Sequence, residues 1–202
     1  GKLTCFEGGV RSPLIVRWPG RVPAGKACDT PWMSIDLLPT LIEALGGKAP
    51  GLRIDGRSAL ALIEGRDLRP TQEALFFYAG EELHAVRSGE WKLHFAHPYL
   101  TNIGAPGRGG KPSGHGTYVP RPITDSSMDA IASRHGQKVA LLPLSLFNLR
   151  DDPGETRDLA ARHPEVVARL SALAEPVRKD LGDRLTSTRG TGRREAGFEA
   201  PR

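Results

Sequence analysis

Apolar residues recur at helical spacing in two parts of the chain. Leu37, Leu38, Leu41, Ile42 and Leu45 step by three and four, which places them along one face of a helix. Asp36 stands just before them, where a carboxylate accepts the free N–H groups of a first turn. Pro39 falls in that turn, where a missing N–H costs nothing, and Gly46-Gly47 supplies a left-handed stop. The pattern predicts a helix within 33–47 packed on a core, with Asp36 as its cap rather than a metal ligand. Val166, Val167, Leu170, Leu173, Ala174, Val177 and Leu181 repeat the stripe over Pro164–Leu181. Pro164 suits the first helical position, whereas Pro176 is expected to kink or end the helix.

Other segments read as strands. Leu14-Ile15-Val16-Arg17-Trp18, stopped by Pro19-Gly20, predicts a buried strand. Two runs between Leu83 and Phe95 meet at Ser88-Gly89-Glu90 and predict a β-hairpin. Ala85, Arg87, Lys92 and His94 mix polar with apolar, so no buried face is assigned. Leu144–Leu149 alternates like a strand, and Asp151-Asp152-Pro153-Gly154 is a turn. Residues 98–140 carry many Gly and Pro without periodicity, as a functional loop or a disordered segment does.

The polar segment Arg66–Thr71 is the expected boundary. The fold class is α/β, with one strand and one helix over 1–65. A small antiparallel sheet crossed by the 164–181 helix is expected over 72–183, with the long loop 98–140 inside it. Residues 184–202 form a basic tail expected to be poorly ordered.

Composition narrows the classes. The chain has 202 residues, 39% hydrophobic and 25% charged, enough for a core without a disulfide or metal staple. No apolar run approaches the roughly 20 residues of a membrane helix. The net charge is +5, but residues 184–202 hold five Arg against two Glu, which leaves +2 for the rest. A charged tail on a near-neutral body argues against nucleic acid. Cys5 and Cys28 make no disulfide framework. The sequence starts at Gly1, its first Met is Met33, and no basic-plus-apolar leader is visible. It is expected to be a piece of a longer polypeptide.

The sharpest chemical segment is Gly1-Lys2-Leu3-Thr4-Cys5-Phe6-Glu7-Gly8-Gly9-Val10-Arg11-Ser12-Pro13. Its double Gly permits close backbone approach, and a Lys ammonium with three donors suits an oxyanion. A solvated Lys before a structural turn has the same appearance. Glu7 and Arg11 are expected to hold the loop through local ion pairs. His94 and His97 have an H-x-x-H spacing. On one strand that spacing points to opposite faces, which argues against a shared metal. Trp18, Trp91 and Phe147 are read as core.

The 1–13 string, followed by an apolar run and Trp18-Pro19-Gly20, resembles the end of the catalytic domain of type I sulfatases, the arylsulfatase A family. Ile35–Leu41, Ile54-Asp55-Gly56, Ala85–Phe95 and Leu146–Glu155 resemble that family too, in its order. Lys92-x-His94-Phe95 is most similar to the arylsulfatase A and galactosamine-6-sulfatase branch. The resemblance implies hydrolysis of aryl or carbohydrate sulfate esters by a formylglycine made from a Cys-x-Pro-x-Arg motif. It also implies a divalent cation, usually calcium, on Asp and Asn ligands. Lys2 takes the place of the family's sulfate-binding catalytic Lys, and His94 or His97 is a candidate substrate contact. Neither Cys5 nor Cys28 fits the formylglycine motif, and the family's metal ligands lie upstream of Gly1. This portion is therefore expected to be inactive alone. The resemblance implies an exported or lysosomal compartment; substrate identity and oligomeric state stay open. Two alternatives remain: a sulfated-glycan-binding or truncated product, and a phosphate or phosphonate ester hydrolase of the wider alkaline phosphatase superfamily.

Overall fold

The computed structural model describes residues 4–51, 53–104, 124 and 126–193. The chain divides into two units. One is Ser12–Leu75; the other joins Phe76 onward with the residues before Ser12.

The second of these is built on a sheet of β1 (Leu75–Ala79), β2 (Glu82–Ser88), β3 (Trp91–His94) and β6 (Ser145–Asn148), in the order β1-β2-β3-β6. The β2–β3 hairpin is the expected one. Ser88 pairs with Trp91, and Gly89 takes φ 60° at the first turn position, a conformation that favours glycine. β1 carries no alternation and escaped the sequence reading. β3 also pairs antiparallel with β6.

Register explains the mixed facing. Arg87 pairs with Lys92 and Ala85 with His94, so these four share one face. Val86, Leu93 and Leu146 are consecutive partners on the other face, and all three are fully buried. Helix α5 (Pro164–Leu181) packs against β2 and β3 and reaches Ser88 through Arg169, so it covers that apolar face. The polar face is covered by residues 5–7, which lead into the short helix α1 (Glu7–Val10). A sheet buried on both faces loses simple alternation.

Pro176 does not end α5, which runs on to Leu181. Pro176 and Ala172 are both exposed, so the Ala172 carbonyl freed by the missing N–H lies on the solvent side. Three elements occupy parts of the expected 98–140 loop. β4 (His97–Asn102) pairs with β5 (Gln137–Leu142), and α4 (Met128–Arg134) precedes β5; residues 105–123 lie outside the described set. The expected tail begins with structure too. β7 (Gly182–Asp183) pairs with β8 (Thr188–Arg189) around a 3₁₀ turn at Arg184–Thr186. Asp183 is fully buried and caps that turn by accepting from the Leu185 N–H. Residues 194–202 lie outside the described set.

The Ser12–Leu75 unit corrects four expectations. Residues 14–18 form no strand and are exposed, Ile15 at 93%. No described strand lies within Ser12–Ala74 to accept them. Helix α2 (Leu37–Ala44) exists, and Gly46 takes the left-handed stop at φ 65°. Its leucine stripe is not on a core: Leu37, Leu38, Leu41 and Leu45 are exposed, while Thr40 is buried. Thr40 donates to the Asp36 carbonyl and accepts from the Ala59 N–H, just before α3 (Leu60–Ile63). Asp36 is not the side-chain cap of α2. Its buried carboxylate accepts from the Met33 and Arg57 N–H groups, Thr71 Oγ1 and Gln72 Nε2. A cap is the simplest use of a lone Asp before a helix, but two later segments, at Arg57 and at Thr71-Gln72, take the same oxygens. Trp18 is also not core; Arg21 lies over its exposed ring at 4.6 Å.

Candidate functional site

The polar face of the sheet carries a buried charged cluster. Lys92, on β3, is fully buried. Its Nζ donates to the Cys5 carbonyl at 2.6 Å and to Glu7 Oε1 at 3.0 Å, and lies 3.0 Å from Glu155 Oε1. An ammonium has three donors; two are used in these hydrogen bonds, and the Glu155 carboxylate completes the cluster as an ion pair. Arg87 Nη1 reaches Glu7 Oε2 at 3.2 Å. Two carboxylates thus face two cations, the condition under which buried charge is tolerated. Glu7 does hold its loop as expected, but through partners on the distant hairpin rather than local ones. Arg11 is exposed.

Glu155 ties the cluster together. Its Oε2 accepts from the Glu7 N–H at 2.5 Å and its Oε1 from His94 Nε2 at 2.8 Å. Its own backbone sits at φ 52°, a conformation that costs a non-glycine residue energy. Burial pushes its carboxyl up, but the His94 hydrogen bond, the Lys92 charge and the Glu7 N–H outweigh this and hold it below the usual range. Burial drives His94 down against the pull of Glu155, so its ring stays neutral. With Nε2 donating to Glu155, Nδ1 is the bare nitrogen, and it has no partner among the described residues.

His97 lies beside it. Its Nδ1 donates to the Phe95 carbonyl at 2.7 Å, and Nε2 has no partner among the described residues. Burial lowers its pKa to about 4 despite that hydrogen bond. The His94 and His97 rings stack at 5.5 Å, and His84 stacks on His97 at 3.8 Å. The two rings do not point apart as a single strand requires: β3 ends at His94 and β4 begins at His97 in a different sheet. His84 was missed in the sequence; it pairs with Glu82, which Arg184 also holds. Arg193 pairs with Glu81, so these two tail arginines are engaged within the chain.

The sequence-predicted residues therefore separate. His94 and His97 are brought together and buried; Lys2 lies outside the described residues. Phe147 is buried, and Trp91 is half-buried against His163 at 4.9 Å. Cys5 is a buried free thiol, pushed up to about 11 by burial despite the Lys92 charge, so it is unreactive. Cys28 is a free, exposed thiol. Among the described residues no group of three His, Cys, Asp or Glu side chains is placed to hold a metal ion. No described helix is long and apolar enough to cross a membrane.

Comparison with known proteins defines the class. The family described as the C-terminal region of aryl-sulfatase matches residues 70–192, and N-sulphoglucosamine sulphohydrolase, C-terminal, matches residues 1–95. The chain belongs to the sulfatase family and corresponds to its C-terminal region. It is 36% identical to human arylsulfatase D over 87% of this chain and 29% of that protein. It is 32% identical to dog N-acetylgalactosamine-6-sulfatase over 90% of this chain and 33% of that protein. The chain thus spans about a third of the length of these relatives. A solved sulfatase from Pseudoalteromonas sp. shares the fold with a TM-score of 0.62, at 22% identity, over 88% of this chain and 31% of that one.

Proposed function

We propose that this chain is the C-terminal portion of a sulfuric ester hydrolase that cleaves aryl or carbohydrate sulfate esters to an alcohol and sulfate. In this reading Lys2 binds a sulfate oxygen and stabilises charge in the transition state. A fixed cation near developing negative charge lowers a barrier by several kcal/mol. The observation that carries the reading is the family match over residues 70–192, joined to the Gly1–Pro13 string that holds Lys2. The names of the two relatives supply the substrate class: an arylsulfatase and a carbohydrate sulfatase.

The exposed stripe of α2 supports the same reading. Its leucines face outward while its polar edge is buried, and an apolar face of this kind marks a docking surface. We assign it to the remainder of a longer polypeptide. The formylglycine and the calcium ion of the family do not fit the residues present: Cys5 and Cys28 lack the motif, and the described residues offer no cluster for a cation. Both groups belong in this reading to the upstream part, and no step is derived through them. His94 and His97 stay candidate substrate contacts by resemblance alone, since both rings are buried in this chain. We place the enzyme in an exported or lysosomal compartment, as the resemblance implies.

The test is expression of the longer polypeptide from its upstream coding sequence, assayed on 4-methylumbelliferyl sulfate and on the matching phosphate. Sulfate turnover that falls about 100-fold or more in Lys2→Ala is the expected result. Preference for the phosphate overturns the sulfatase reading, and so does wild-type activity in Lys2→Ala. The 202-residue chain alone, given calcium, is expected to turn over neither ester.

A further inference from the structure

Three consecutive residues just after Lys2 are each gripped by the sheet. The Cys5 carbonyl accepts from Lys92. The Phe6 ring stacks on His94 at 4.8 Å and meets Tyr99 edge-on at 5.2 Å. The Glu7 N–H donates to Glu155, and the Glu7 carboxylate takes Lys92 and Arg87. None of these grips is redundant in kind: one holds a carbonyl, one a ring, one an N–H and one a carboxylate. The gripping residues come from four separate parts of the chain, with β3 supplying Lys92 and His94, β2 supplying Arg87, β4 supplying Tyr99, and the turn after β6 supplying Glu155.

The grip is also costly in a way that ordinary packing is not. Glu155 holds a left-handed backbone at φ 52°, and buried ion pairs are weak contributors to stability compared with apolar packing. A strained residue and buried charges that all grip one short loop point to a need for that loop in one conformation. Covalent geometry limits the three steps from Lys2 to Cys5 to about 10 Å, so fixing residues 5–7 restricts where a Lys2 ammonium can be.

We propose that Lys92 and Glu155 are positioning residues that clamp residues 5–7 and thereby aim Lys2 at the sulfate group. The proposal rests on the sulfatase reading above and deepens it. The C-terminal sheet then acts on catalysis without touching substrate, through the loop it holds. Misplacement of a catalytic group by about 1 Å costs of the order of 100-fold in rate, so a slack clamp lowers kcat while leaving most substrate contacts, and KM, in place.

The experiment is a double-mutant cycle in the longer polypeptide on 4-methylumbelliferyl sulfate, with Lys92→Arg and Lys2→Ala singly and together. Lys92→Arg keeps the charge but replaces a three-donor point with a planar fork. It is expected to lower kcat at least 10-fold with KM within twofold. The double variant is expected to match Lys2→Ala within twofold, because a clamp has nothing to aim once Lys2 is gone. Multiplying effects overturn the proposal, as does an unchanged kcat in Lys92→Arg. Glu155→Gln, which keeps the side-chain shape, runs through the same cycle if Lys92→Arg does not fold, with the same two results deciding. Hydrogen exchange of residues 4–10 reads the clamp without activity, and is expected to quicken at least 10-fold in either variant. If the wild-type longer polypeptide turns over no sulfate ester, the reading beneath fails. If it does and the cycle is additive, only the clamp fails.

Discussion

The two units bury opposite things. In the sheet unit, Val86, Leu93 and Leu146 lie under α5, while the charged face of the same sheet is closed by residues 5–7. In the Ser12–Leu75 unit the buried side of α2 holds Asp36 and Thr40, and its leucines face out. Their acidic centres differ as well. Glu7 and Glu155 are matched by Lys92 and Arg87, whereas Asp36 is held by two backbone N–H groups, a hydroxyl and an amide. A hydrophobic stripe shows which residues need cover; it does not say that the cover is nearby in the same chain.

The largest effect expected tests the charge-matched centre. Lys92→Met removes the cation between two buried carboxylates and should lower stability by about 3–5 kcal/mol, since breaking a buried pair leaves uncompensated charge. Urea unfolding followed by circular dichroism measures it, and a loss below 1 kcal/mol would mean water reaches those carboxylates.

Acid should act on the same centre. The folded protein favours neutral His97, with its pKa near 4, while an unfolded His titrates near 6.5. The stability this represents is whole above pH 6.5 and falls as pH drops toward 4, by about 3 kcal/mol. His94 and Glu155 are also lowered, so each adds loss in the same direction. Chemical denaturation at pH 7, 5.5 and 4.5 should show the decline, and His97→Phe should flatten it.

The neutral-donor centre should respond less. Asp36→Asn keeps the shape but turns an NH₂ toward groups that are themselves donors, and should cost about 2 kcal/mol. A loss equal to that of Lys92→Met would erase the contrast between the centres.

These centres also mark what the sequence could reveal. The 83–95 hairpin, the 145–148 strand and the 164–181 helix follow from local periodicity and from Gly89, and all three formed. Glu7 as a loop anchor was legible in kind, but its partners were not, because Lys92 and Glu155 are 85 and 148 residues away and no local rule pairs them. The alternation Ala85, Arg87, Lys92, His94 did hold the signal of a second, polar buried face. It became readable only through the β2–β3 register. The strand expected at 14–18 failed because apolar sequence supplies the wish for burial and the sheet supplies the place.

The smallest expected effect is the most discriminating for α2. Leu41 is 49% exposed, so Leu41→Ser should change the stability of the 202-residue chain by no more than about 0.5 kcal/mol, as surface substitutions do. A buried leucine truncated in this way costs several kcal/mol, so the same substitution in the longer polypeptide should be severe if the stripe is covered there. The pair of measurements is thus internally controlled: one side chain, two contexts, and a difference that reads only what lies over it. A large loss in the short chain would show that α2 already packs inward. Equal, small losses in both would leave the stripe without a partner in the polypeptide and remove it as support for the sulfatase reading, while the family match would stand.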